Sequence, residues 1–189
     1  MKRHLALAAV AAICATPVLL DATPAWSQTT QAASTTAANP LPEPDQRFVQ
    51  AATLSSSTEI DAAKLASDQS QNKDVKSFAR HMRLDHTKLT VQLKMAAPHG
   101  VQVPKDNSDT SILDSLKPLK GAEFDKAYVE KVGLEGHKQT IAAFKDEIAN
   151  GQNADLKRAA QKALPTIERH YKMAQDLAQK LGVSTASAQ

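Results

Sequence analysis

Four side chains able to bind a metal or move a proton, Glu59, His86, His137 and His170, stand where the surrounding pattern calls for apolar residues. His86 falls on a helical stripe with Val75, Phe78, Met82, Leu89 and Leu93, and His137 on one with Phe124, Tyr128, Leu134, Ile141, Phe144 and Ile148. His170 interrupts the most regular stripe, Leu156, Ala160, Ala163, Ile167, Ala174, Leu177 and Leu181, while Glu59 aligns with Phe48, Ala52, Ser55, Ala63 and Ala66. A polar group turned into a core costs free energy unless it is satisfied there. Neutral imidazoles suit zinc, copper, iron and nickel, and a carboxylate adds charge compensation. A second chemistry fits the same residues: a hydrogen-bonded Glu/His network that holds no ion and titrates near neutrality. Asp85, Glu135 and Glu168 neighbour the histidines in sequence and are candidates to orient imidazole protons from behind. Adjacent residues on a helix point in different directions, which disfavours these three as direct ligands.

The elements that must position these residues are helices. Apolar periodicity predicts four of them, over about residues 45–70, 73–97, 121–150 and 154–181, with no strand pattern between. Asn72 is a candidate cap for the second helix, Asn150-Gly151 stops the third, and Pro165 should kink the fourth by removing a backbone donor. Short connections near Gln71 and Gln152 make two antiparallel hairpins, whereas Pro98 to Lys120 is long enough to cross the length of a bundle. Leu113, Leu116 and Leu119 within that crossover predict a short helical turn on the core. The expected fold is an all-α four-helix bundle with a ferritin-like long connection between helices two and three. At about 1.5 Å of rise per residue, Glu59 and His86 lie about 12 and 15 residues from the first connection, and His137 and His170 about 15 and 18 from the second. All four can therefore meet near mid-height. Gly133 and Gly136 flank His137 at a cost to helix stability, leaving room for a ligand or a close helix contact.

Composition narrows the function classes. The 189 residues carry 23 Lys+Arg against 20 Asp+Glu, and aromatic residues make up 4%, a poor basis for electrostatic or stacking recognition of nucleic acid. Residues 1–27 have a basic start, an apolar run broken by Pro17 and a small-residue Ala25-Trp26-Ser27 end, the pattern of a cleaved secretory signal. Cys14, the one cysteine, follows Ile13 rather than a small residue and leaves with the signal, so disulfides and thiol catalysis are excluded from the mature chain. Residues 28–46, poor in charge and carrying Pro40, Pro42 and Pro44, read as a flexible linker; 47–182 form the domain and 183–189 a small polar tail. No transmembrane segment is expected after signal cleavage, and the location is periplasmic or otherwise exported. There is no His-Glu-x-x-His, Gly-rich phosphate loop, Gly-x-Ser-x-Gly or Cys-x-x-Cys-His, and no catalytic residue is assigned.

Several motifs carry a resemblance. Glu59-Ile60 with Lys64-Leu65-Ala66, Val75-Lys76-Ser77-Phe78-Ala79 with Met82 and Asp85-His86, Gly121-Ala122-Glu123-Phe124-Asp125 with Tyr128-Val129 and His137, and Leu164-Pro165 with His170 run through Arg47 to Leu181. Together they resemble the exported bacterial ferritin-like family catalogued as domain of unknown function 4142. The resemblance implies a helical bundle of the periplasm or envelope and brings no established activity. Ferritin-like di-iron sites use Glu-x-x-His pairs, yet Arg83, Leu134 and Ile167 stand three residues before the histidines. Iron storage and ferroxidase chemistry do not follow from the fold.

The leading expectation is an exported bundle, non-enzymatic or weakly catalytic, that binds one transition-metal ion (iron, zinc, manganese or copper) through Glu59, His86, His137 and His170, in envelope metal handling or stress tolerance. The alternative is a structural or interaction module with a metal-free buried network and a partner in the envelope. A third, a redox enzyme acting on oxygen species, needs an open coordination position.

Overall fold

The computed structural model describes residues 41–184. The expected signal peptide, the linker up to residue 40 and the last five residues lie outside them. In chain order the elements are α1 (Glu43–Gln69), α2 (Lys73–Ala96), α3 (Thr110–Leu116), α4 (Gly121–Tyr128), a π-helical segment (Val129–Gly136), α5 (His137–Asn150) and α6 (Ala154–Leu181). α4, the π segment and α5 form one continuous rod. The described fold is all-α, with no strand among the described residues.

Local chemistry sets the ends. The Oδ1 atoms of Asn72 and Asn153 accept backbone N–H bonds from residues two and three positions on, capping α2 and α6. α6 runs through Pro165 and closes at Gly182, whose φ of 67° lets the Val183 N–H reach the Ala178 carbonyl at 2.9 Å. Val183 packs on the core, so the fold reaches one residue into the expected tail. The other boundary moves too: Leu41 and Asp45, placed in the linker by sequence, are buried. Pro44 falls in the first turn of α1, where a missing N–H costs nothing, and the Asp45 carboxylate accepts the N–H groups of Gln152 and Asn153.

That bond ties the start of α1 to the end of α5, and the edge-on contact of Phe48 with Phe144 continues the pairing. α1 therefore runs antiparallel to α5, its neighbour, as well as to α2. Lys180 reaches Asp74, which sets α6 antiparallel to α2. The crossover between α2 and α4 must then return along the whole bundle, the connectivity of ferritin-like bundles. It is strapped to α1: the Asn107 amide bonds the hydroxyls of Thr53 and Ser57 at 3.0 Å, and the Asp109 N–H donates to Thr58 Oγ1 at 2.8 Å.

The apolar core is divided. One cluster joins Ala62, Ala63 and Ala66 to Phe78, Met82, Phe124, Tyr128 and Ala174; the other joins Phe48 and Ala52 to Leu93, Phe144, Leu156 and Ile167. Each rod passes from one cluster to the other at a polar residue: Glu59 on α1, His86 on α2, His137 on the third rod and His170 on α6.

The third rod departs from the uninterrupted α-helix expected. Its buried positions pair up as Phe124 with Asp125 and Tyr128 with Val129, widen to Val132 through Leu134, then narrow to His137, Thr140, Phe144 and Glu147. The π turn lies where that buried band widens, and it places the Val132 carbonyl within reach of the His137 ring five residues on. Gly133 sits in this segment because a Cβ there would lie 2.9 Å from the Ala174 Cβ. Gly133→Ala is expected to destabilise the fold by about 1–3 kcal/mol in urea unfolding. Combination with Ala174→Gly should cost less than the sum of the two single changes; strict additivity would show that the two rods do not touch there.

Candidate metal centre

His86, His137 and His170 converge in the polar layer, all three essentially without solvent exposure. Their ring centroids are 5.4–5.8 Å apart in every pairing, and one nitrogen from each ring lies within 4.8 Å of the others. The mid-height convergence that residue counting suggests is what the fold produces.

Each ring is held by one nitrogen. His86 Nδ1 faces Ser56 Oγ on α1 at 3.3 Å. His137 Nδ1 donates to the Val132 carbonyl, one π turn back, at 3.0 Å and lies 3.2 Å from Glu59 Oε1. His170 Nε2 lies 2.9 Å from Asp85 Oδ2, and Arg169 stands 3.9 Å from that same oxygen. The opposite nitrogens, His86 Nε2, His137 Nε2 and His170 Nδ1, are buried and have no hydrogen-bond partner among the described residues. The carbonyl behind His137 and the carboxylate behind His170 fix each ring's orientation and set which nitrogen keeps a free lone pair, while the Ser56 hydroxyl, able to donate or accept, orients His86. That is the arrangement around metal-bound histidine.

Electrostatics agree. Burial lowers the pKa of all three histidines; the neighbouring imidazoles lower His86 further, and His137 falls to about 4. Asp85 partly offsets the effect at His170. Neutral rings are the ligand form. Burial pushes Glu59 the other way, well above the usual carboxylate range, and its Oε2 has no partner among the described residues.

The remaining expected residues divide. Glu59 stands outside the three-histidine group, because its carboxyl reaches the held nitrogen of His137 rather than the free one. Asp85 does orient an imidazole, but that of His170 across the α2–α6 seam rather than that of its neighbour His86. Glu135 is exposed, and Glu168 pairs with Lys145 at 3.3 Å on the surface; neither approaches the histidines, since one residue along a helix turns a side chain by about 100°. Ser56 and the Val132 carbonyl were not legible as partners. The signal for Ser56 was present in Ser55-Ser56-Ser57-Thr58, four small hydroxyls at the middle of a core helix.

Comparison with known proteins places the chain. Residues 29–177 match the family described as Domain of unknown function (DUF4142), and the chain belongs to that family. No curated protein matches it. A crystal structure from Streptomyces coelicolor, described as "putative secreted protein DUF305", aligns with a TM-score of 0.60 at 14% identity, covering 75% of this chain and 94% of that one. At that identity the likeness establishes a shared helical fold. No helix among the described residues is long and apolar enough to cross a membrane.

The depressed pKa of His137 has a signed consequence. The unfolded chain takes up a proton below about pH 6.5 that the native imidazole refuses until about pH 4, so native stability is lost as pH falls through that interval. Relative to His137→Phe, the metal-free protein should lose about 3 kcal/mol between pH 7 and 4, read by urea unfolding. Parallel profiles for the two proteins would show that this ring is not held neutral in the core.

Proposed function

We propose that this chain is an exported helical domain that holds one transition-metal ion between His86, His137 and His170, in envelope metal handling or stress tolerance. The observation that carries the reading is the set of three buried ring nitrogens without partners, each opposite a nitrogen that a neighbouring group fixes. A metal-free network is the rival reading, and it would leave these three nitrogens and Glu59 Oε2 desolvated and unpaired, each at a cost of about 1–3 kcal/mol. One cation satisfies the three nitrogens at once.

The same geometry argues for a divalent ion. Three neutral imidazoles supply no charge, but Glu59 and Asp85 stand directly behind two of them and together offer two negative charges. A bound ion is the largest local charge in such a site and favours the ionised form of Glu59, against the effect of burial alone. Nitrogen donors favour zinc or copper and also serve iron. Export rests on the signal-like residues 1–27 and on the description of the Streptomyces coelicolor protein with the same fold.

Elemental analysis of protein purified without chelators or an affinity tag, paired with melting before and after stripping, tests the reading. Close to one ion per chain is expected, with restored metal stabilising by about 4 kcal/mol at a thousandfold excess over Kd. His137→Ala, or the gentler His137→Gln, should abolish that increment. Metal-free protein that no added ion stabilises would leave the buried network as the correct description.

A further inference from the structure

The three histidines are sealed from solvent, and none of them lines any of three hollows that approach the polar layer. An ion reaching them must therefore pass a wall. These hollows offer different approaches. A groove of about 210 Å³ at the far end of α6 carries Asp74 and Asp176, but these are paired with Lys180 and Lys172, and the groove stops at the apolar ring of Phe78. A cleft between α1, α2 and α6 stops at Ser56, but its volume of about 20 Å³ admits about one water.

The third approach differs in what stands at its inner wall. A cavity of about 140 Å³ lies between α1, α3 and the third rod, room for an ion with part of its water shell. Asp109 lies at it, ionised because Ser111 and the α3 backbone hold its carboxyl below the usual range. Ser55, Thr58 and Thr140 place hydroxyls along it. At its inner wall stand Glu59, buried and with Oε2 unpartnered, and Gly136, which carries no side chain to close the seam before His137. Oxygen donors thus succeed one another from the surface to the group that touches the His137 ring. Lys131 at the same cavity is turned aside, its Nζ donating to Ser115 Oγ at 3.2 Å.

We propose that this cavity is the uptake path of the metal centre, with Glu59 the last oxygen donor that a divalent cation meets before the three imidazoles. The proposal rests on the metal-binding reading above. Its signature is kinetic, because a path contributes to the rate of exchange and not to the affinity of the end state. Blocking it must slow association and dissociation by the same factor.

Stopped-flow uptake of cobalt(II), followed by its visible absorbance in the full-length folded protein, makes the test. Ala143→Phe and, independently, Ala51→Phe each insert a ring into the cavity without touching the histidines; Ala159→Phe fills the narrow cleft as a control. Either cavity variant is expected to slow association about tenfold or more, with Kd held within about twofold and Ala159→Phe unchanged. Rates that stay normal in both cavity variants, or that fall equally in the control, overturn the path. An affinity that falls through faster dissociation with unchanged association also overturns it, by making the cavity part of the site. Absence of cobalt uptake by the unmodified chain would instead remove the metal reading, and the path with it.

Discussion

Three uncharged imidazoles, desolvated in the middle of a helical bundle and each anchored through one nitrogen, impose their requirement on everything around them. A ring left free to turn would sample several orientations. Ser56, the Val132 carbonyl with Glu59, and Asp85 remove that freedom. Each comes from a different place in the bundle: α1, the π segment and α2. The polar layer therefore forms only when all four rods have their correct register, and the apolar clusters above and below supply the burial that enforces it.

The backbone bears part of this cost. A π turn is less favourable than α-helix, and two glycines in the same rod weaken it further. In return the rod gains a carbonyl placed for the Nδ1 of His137 and a close approach to α6 at Ala174. The hydroxyl run of α1 serves two faces in the same way. Ser56 faces inward to His86, whereas Thr53, Ser57 and Thr58 hold the crossover down on the outside. This explains why a helix with few large apolar residues is nonetheless well buried along its length.

Much of this was legible in the sequence. Periodicity located the helices to within a few residues, the long Pro98–Lys120 connection indicated the crossover, and interrupted stripes marked His86, His137 and His170. What could not be read is directional. Counting residues gives height along a rod and leaves open which face of a neighbouring ring a carboxylate meets, so Glu59 arrived behind His137 rather than beside its free nitrogen. The π step lay hidden because glycines signal weakness in a helix without giving its remedy. Leu41 and Asp45 read as linker because three nearby prolines look like helix breakers, although a first turn accepts proline. Glu135 and Glu168 shared sequence neighbourhood with the histidines and nothing else.

X-ray absorption at the zinc edge, on protein reconstituted with one zinc per chain, tests the central claim most directly. Three imidazoles at about 2.0–2.1 Å, with the outer-ring scattering that marks histidine and one further light ligand, are the predicted first coordination sphere. Loss of one imidazole in His170→Ala would assign the set. A sphere of oxygen donors alone, unchanged in that variant, would contradict the account by placing the ion elsewhere on the protein.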